Sequence, residues 1–292
     1  MGDPVKNVVV VGGGTMGVGI TQLLLEQSVN VVLVEVDKDR ADTARKNVVQ
    51  GLEAKLKHSK LDIDRTDFDR RIESYLGRLQ ICIQVATAAR LIDPELVIET
   101  VVEDPVVKSK VLGEIESCFA GTRVIATNTS SISIGNLGSG LLNPEKFIGM
   151  HFFNPVPRSA LLELVRASFT ATSTIDLSVS FANQIGLEPI VVRDSPGFAT
   201  SRLGVAIGLE AIRMLEEGVA SAEDIDLGMM LGYKFPIGPL KLTDLVGLDV
   251  RLAISRYLES SLGSRFAPPK LLEDKVSRGE LGKKSGKGFY QW

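Results

Sequence analysis

The chain has 292 residues, 44% of them hydrophobic and 24% charged, with a formal net charge of −3. That is enough chain for two ordinary domains with a sizeable core, and the composition is that of a soluble globular protein. The nearly balanced charge points to no nucleic acid and no membrane surface as partner, so an acidic substrate has to be met by a local basic patch. No apolar run reaches the roughly 18 residues that a membrane span needs. Met1-Gly-Asp-Pro-Val-Lys has neither the n-region nor the h-region of a signal peptide. Cys82 and Cys118 lie far apart, with no CxxC and no Cys/His cluster. They read as buried thiols in a reducing compartment, so no metal is expected and the expected location is the cytoplasm.

In chain order, Asn7-Val-Val-Val-Val11 reads as a buried parallel strand, followed at once by Gly12-Gly13-Gly14-Thr15-Met16-Gly17 and an apolar helix. This is G-x-G-x-x-G between a strand and a helix. Gly12 permits the tight turn, Gly14 lets backbone approach a pyrophosphate, and Gly17 lets helix and strand pack closely. The helix start adds free N–H groups and the positive end of its dipole. The next strand, Asn30-Val-Val-Leu-Val, runs into Glu35. A carboxylate there accepts hydrogen bonds from the adenosine ribose and repels a 2′-phosphate, which favours NAD over NADP.

A long helix rich in Arg and Lys is expected from Asp37 to about Lys60, and a second, polar one from Asp62 to Leu76. Lys55, Lys57 and Lys60 cluster near the end of the first, beside His58. They form either a solvated helical face or a basic patch for a phosphate-bearing substrate. Strands are expected at Leu79-Gln-Ile-Cys-Ile, at Leu96 to Val102 and at Arg123 to Thr127, with a helix from Ser109 to Phe119. This alternation argues for a parallel, doubly wound sheet, whose ligands bind at the carboxyl ends of the strands. Glu103, Lys108 and Asn128-Thr-Ser-Ser131 fall just past such ends. For Ser130 or Ser131 the alternative is a cap on a helix beginning near Ile132.

His151 follows a strand-like run, Lys146-Phe-Ile-Gly-Met, and leads into Phe-Phe-Asn-Pro-Val-Pro. The two prolines force an irregular crossing, after which Leu161-Leu-Glu-Leu-Val is extended again. That layout can fold Glu163 back beside His151, where a carboxylate orients the imidazole and raises its basicity. A helix from Thr172 to Gly186 and a strand at Pro189 to Arg193 complete the first domain, 1–192. The remainder, 193–292, reads as all-α: Phe198 to Glu217, Ala222 to Leu231, Leu240 to Leu262 with a break near Gly247, and Lys270 to Arg278. For the closing Lys283-Lys-Ser-Gly-Lys-Gly-Phe-Tyr a flexible solvated tail is the alternative to a functional segment.

The chain resembles the short-chain L-3-hydroxyacyl-CoA dehydrogenase family, including 3-hydroxybutyryl-CoA dehydrogenases, over nearly its whole length. The resemblance rests on Val11-Gly-Gly-Gly-Thr-Met-Gly, Val97-Ile-Glu-Thr-Val-Val-Glu103, Asn128-Thr-Ser-Ser, His151-Phe-Phe-Asn-Pro-Val-Pro, Asp194-Ser-Pro-Gly-Phe and Gly282-Lys-Lys-Ser-Gly-Lys-Gly-Phe-Tyr. It implies an N-terminal Rossmann-type doubly wound sheet that binds NAD, followed by an all-α domain that lines the substrate cleft and makes a homodimer. It implies NAD-dependent oxidation of a (3S)-3-hydroxyacyl-CoA, of short chain, in fatty acid metabolism. His151 and Glu163 would be the catalytic pair, and Ser130 would contact substrate and cofactor. Glu35, Glu103, Lys108, Asn154 and Lys284 fall where the family binds NAD, and Lys57 falls where it meets the adenylate end of coenzyme A. One position departs from the family pattern. Family members often carry Asn where this chain has Ser201, and serine reaches less far toward the substrate oxygen. Two rivals stand beside this reading. One is a dehydrogenase of a free hydroxy acid, of the gulonate dehydrogenase and lambda-crystallin type. The other is a non-catalytic NAD-binding protein.

Overall fold

The structure is a computed structural model that describes residues 4–58 and 64–292. The expected cluster member Lys60, the first residues of the helix read from Asp62, and Met1 to Asp3 lie outside the described residues. The chain divides into two compact units, Met1–Asp194 and Ser195–Trp292.

The first unit is built on one eight-stranded sheet. Its strands are β1 (Asn7–Val11), β2 (Asn30–Val34), β3 (Leu79–Cys82), β4 (Leu96–Glu99), β5 (Val124–Thr127), β6 (Phe147–Phe152), β7 (Leu161–Arg166) and β8 (Glu188–Arg193). Their order across the sheet is β3-β2-β1-β4-β5-β6-β7-β8. Strands β1 to β6 run parallel. Their central members are Val- and Ile-rich and almost wholly buried, as a sheet covered on both faces requires. The order departs from the expected all-parallel sheet at its far edge. β7 is antiparallel to β6, and β8 is parallel to β7. The reason is the connection. Residues 153–160 hold only a short 3₁₀ turn, Val156–Arg158, and a parallel return needs a longer crossover.

Helices α1 (Thr15–Glu26), α2 (Lys38–His58), α3 (Arg65–Leu76), α4 (Val85–Leu91), α5 (Pro105–Cys118), α6 (Ile134–Gly138) and α7 (Thr172–Gln184) connect the strands. Three details differ from expectation. α4 is an additional helix between β3 and β4. α5 starts at Pro105 rather than Ser109, because Asp104 caps it by accepting from the N–H groups of Val106 and Val107 at 2.8 and 3.0 Å. α6 is capped by Ser133, whose Oγ accepts from Asn136 N–H, so neither Ser130 nor Ser131 serves as the cap.

The second unit is helical: α8 (Thr200–Glu216), α9 (Ala222–Gly232), α10 (Pro239–Val246), α11 (Leu248–Leu262) and α12 (Lys270–Ser277). Val205, Leu209, Ile212, Leu240, Leu248 and Leu258 are wholly buried in its core. Gly247, at φ +104°, breaks α10 from α11; that positive φ suits glycine. The chain's last residues are not a free tail. The buried Asp244 carboxylate accepts from Phe289 N–H and Tyr290 N–H, each at 2.9 Å, and from Trp292 Nε1–H at 2.8 Å.

Candidate active site

The carboxyl ends of β1, β4, β5 and β6 frame the site. Between β1 and α1 the glycine loop is held from both sides. Gly12 N–H donates to Val34 O at 2.8 Å, and Thr100 Oγ1 donates to Gly12 O at 2.7 Å. A Cβ on Gly17 would stand 1.8 Å from Gly12 O, so no other residue fits there. A Cβ on Gly14 would meet nothing within 4 Å, which leaves that face of the loop open. No side chain caps the start of α1, so its first N–H groups remain available to an anion. Gly13 N–H donates to Glu35 Oε1 at 2.7 Å, and Val36 N–H to Glu35 Oε2 at 2.9 Å. The Glu35 carboxylate is thereby fixed at the end of β2.

Two cavities meet at Thr100 and Val101. One, of about 420 Å³, is lined by Gly12, Gly14, Glu35, Arg40, Val102 and Val107 among others. The other, of about 360 Å³, is lined by Met16, Glu103, Asn128, Ser130, His151 and Asn154 among others. A dinucleotide laid across the glycine loop has a carboxylate for one ribose in the first cavity and polar side chains for its other half in the second. The donor set therefore fits NAD.

His151 is the penultimate residue of β6, inside the strand rather than after it. Glu163 sits directly opposite on β7, in register. His151 Nδ1 and Glu163 Oε2 are 2.8 Å apart, and both side chains are buried. A carboxylate can only accept, so Nδ1 carries the proton and Nε2 is the basic atom of the neutral ring. The Phe153 ring packs against the imidazole, with centroids 4.4 Å apart. Next to this pair, Phe152 N–H donates to Asn128 Oδ1 at 3.0 Å.

Behind the cavity lies a buried cluster that was not expected. The Lys108 ammonium has no solvent-exposed surface; it donates to Glu99 Oε1 at 2.9 Å, Glu99 Oε2 at 3.1 Å and Asn128 O at 3.1 Å, and lies 3.5 Å from Glu103. Lys108 therefore meets the cavity through Glu103 and Asn128 rather than directly. Burial pushes the Glu99 carboxyl above its usual range, opposed by the charge of Lys108 and by a hydrogen bond from Thr127. The signal for Glu99 was present, since an acid ending a buried apolar strand requires a partner. Glu103 accepts from Thr129 Oγ1 at 2.5 Å and Ser130 N–H at 3.2 Å, which brings Glu103 and Ser130 together.

The remaining expected residues lie elsewhere. Lys57 is exposed near the end of α2, paired with Glu53 at 3.2 Å, with its ammonium 5.8 Å from the Phe68 ring centroid. Ser201 sits in the first turn of α8 in the second unit. Lys284, also in the second unit, binds Asp249 at 2.6 Å. Burial raises the Asp249 carboxyl, but the hydrogen bond and charge of Lys284 and the hydrogen bond from Val250 N–H together outweigh it and hold the group below its usual range.

Comparison with known proteins completes the identification. Residues 7–195 match the NAD-binding domain of 3-hydroxyacyl-CoA dehydrogenase, and residues 197–292 match its C-terminal domain. The chain is 37% identical over 295 residues to a 3-hydroxybutyryl-CoA dehydrogenase of Mycobacterium tuberculosis, covering 100% of both. It is 36% identical over 290 residues to the mitochondrial hydroxyacyl-coenzyme A dehydrogenase of Sus scrofa, covering 99% of this chain and 91% of the relative. The crystal structure of (S)-3-hydroxybutyryl-CoA dehydrogenase from Ralstonia eutropha matches at a TM-score of 0.91 and 36% identity, over 99% of each chain. The chain thus belongs to the 3-hydroxyacyl-CoA dehydrogenase family of NAD-dependent oxidoreductases.

Proposed function

We propose that the protein oxidises short-chain (3S)-3-hydroxyacyl-CoA, such as 3-hydroxybutanoyl-CoA, to 3-ketoacyl-CoA, reversibly and within fatty acid metabolism. The observation that carries this reading is the His151–Glu163 pair at 2.8 Å, in the wall of a cavity that also presents Ser130, Glu103 and Asn154. NAD, when bound, supplies the hydride acceptor for C3. The residues of the chain do the rest. Nε2 of His151 takes the proton of the 3-hydroxyl, and in the reverse direction returns it to the ketone oxygen. Glu163 holds the ring and stabilises the imidazolium that forms. Ser130 and Ser201 bond the oxygen. Gly12, Gly13, Gly14, Thr15, Met16 and Gly17 would hold the pyrophosphate, and Glu35 the adenosine ribose. Glu103, Asn154 and Lys284 would hold the nicotinamide half, with Lys108 keeping Glu103 in place. Lys57 would meet the adenylate end of coenzyme A.

Two further parts of the reading concern context. The second unit exposes Leu203, Leu227, Leu231, Tyr233 and Leu245, an apolar set suited to a two-fold homodimer; light scattering that finds a stable monomer at micromolar protein would refute this. Cys82 and Cys118 are both free, in keeping with a reducing compartment such as the cytoplasm, which fractionation of the cells would check. The activity is tested by following NADH consumption with a series of 3-ketoacyl-CoA chain lengths and with free hydroxy acids in the reverse direction. Reduction of acetoacetyl-CoA is expected. Turnover of free hydroxy acids with none of the thioesters would overturn the reading.

A further inference from the structure

Glu99 ends β4, is fully buried and lines neither cavity of the site. A carboxyl group is costly to bury, and this one is out of reach of any ligand, so its effect on a ligand has to pass through the groups it holds. Three donors converge on it. Lys108 Nζ donates to both oxygens, Val101 N–H to Oε1 at 2.6 Å, and Thr127 Oγ1 to Oε2.

The ammonium among these donors is shared with the cavity. Lys108 Nζ stands between two carboxylates, 2.9 Å from Glu99 Oε1 and 3.5 Å from Glu103 Oε2. Glu103 is the one at the cavity, with its side chain 40% exposed. Thr129 Oγ1, Ser130 N–H and Ser131 Oγ all donate to Glu103 Oε1. Among the described residues Oε2 has only the longer contact with Lys108, so it keeps accepting capacity for a hydroxyl. Lys108 also donates to Asn128 O at 3.1 Å, and Asn128 Oδ1 accepts from Phe152 N–H, next to His151.

We propose that Glu99 is a positioning residue for the cofactor. It draws Lys108 away from Glu103, so that Glu103 Oε2 can accept from a ribose hydroxyl on the nicotinamide half of NAD, and through Asn128 it sets that acceptor at a fixed offset from His151. The inference rests on the part of the proposed function in which Glu103 holds that half. Without the charge on Glu99 the ammonium closes on Glu103, its remaining counter-charge. A charge-assisted pair then takes the acceptor that the ribose needs.

The test reads the Kd of NADH by fluorescence titration and, separately, KM for NADH and for acetoacetyl-CoA. Glu99→Gln keeps the size of the side chain and loses its charge. Its Kd and KM for NADH should rise by about tenfold, while KM for acetoacetyl-CoA stays within about twofold. Glu99→Asp keeps the charge one methylene farther back, and its rise should be smaller, about threefold. In a Glu103→Ala background, where the acceptor is already gone, Glu99→Gln should add nothing. A Glu99 that serves the scaffold alone would lower the midpoint of urea unfolding and leave the NADH affinity of the folded variants unchanged; that result overturns the inference and leaves the proposed function standing. Losses that add in the double variant overturn it too, as does a rise in KM for acetoacetyl-CoA equal to that for NADH. Where Glu99→Gln does not fold, Glu99→Asp decides by the same readings, and a chain that folds with neither assigns Glu99 to the scaffold and overturns the inference. If the unaltered protein reduces no 3-ketoacyl-CoA, the proposed function falls, while the NADH titration still decides the role of Glu99.

Discussion

Lys108 and Arg251 are both buried cations, and the two units of the molecule treat them in opposite ways. Lys108 is enclosed by Glu99, Asn128 O and Glu103. Arg251 is nearly as deep and has no counter-charge among the described residues. A buried charge whose partners all come from its own unit is part of the scaffold. It fixes the ends of β4 and β5, and through Asn128 the end of β6. A buried charge without partners fixes no neighbouring element in this way. The sheet unit thus holds a finished polar arrangement, while the helical unit holds an incomplete one.

The largest expected effect tests whether the sheet unit's arrangement is as tightly coupled as its geometry. His151→Gln should lower kcat by about 10²–10⁴, since an amide does not take up the hydroxyl proton at neutral pH. Glu163→Gln alone should cost at least about tenfold, because a neutral amide stabilises imidazolium poorly. The double variant should behave like His151→Gln, the orienting group having nothing left to orient. Steady-state kinetics that showed the two losses multiplying would separate the pair into independent residues.

A second experiment sets the two cations side by side. Lys108→Met leaves Glu99 buried and unpaired, and should destabilise the fold by about 3–5 kcal/mol. Arg251→Leu removes a charge that has no partner, so it should be neutral or stabilising. Urea unfolding of both variants gives the answer, and an Arg251→Leu loss as large as that of Lys108→Met would erase the contrast. The smallest effect lies at the surface of the helical unit. Glu280 is held down to about 2, first by Lys287 and then by Lys275 and Arg278. Its folded-state pKa is depressed, so its contribution is complete above the usual carboxylate range and is lost as pH falls from there toward 2. Melting curves of Glu280→Gln should show a weaker acid-side decline than the unaltered chain; coincident declines would assign no role to this cluster.

Where the sequence was informative, the reason was local. The β1–glycine loop–β2 unit is legible because a Val-rich strand, three spaced glycines and a strand-end Glu35 each have one physical reading, and they agree. The approach of Glu163 to His151 is legible because Asn-Pro-Val-Pro has to turn the chain between two extended runs. The same residues do not by themselves announce the antiparallel direction of β7, although the shortness of that turn requires it. The early start of α5 was signalled by Asp104-Pro105, a cap followed by a first-turn proline, but Val101 and Val102 extend the strand pattern past its true end at Glu99. α4 carries only seven residues and no strong start signal. Arg251 was visible in one sense. It falls on the face of α11 shared with Leu248, Leu252, Ser255 and Leu258, all buried, and a charge on a core-facing stripe asks for a partner. Its lack of one depends on what surrounds it in space, which no local pattern holds.

The pairing of His151 with Glu163 in sheet register has a consequence for how this enzyme can be altered. The two residues are opposite one another because β6 and β7 exchange main-chain hydrogen bonds, not because the segment between them holds a particular shape. The proton-handling pair and the 153–160 connection are therefore separable parts. Changes in that connection that spare Phe153, Asn154 and the buried Val156 leave the imidazole and carboxylate facing each other as long as the ladder stays in step. A slip of one residue has the opposite outcome, since it turns Glu163 to the other face of the sheet and leaves the imidazole without its partner. In laboratory evolution, then, the connection is a place to vary contacts with ligands, and the strands beside it are a place to leave alone.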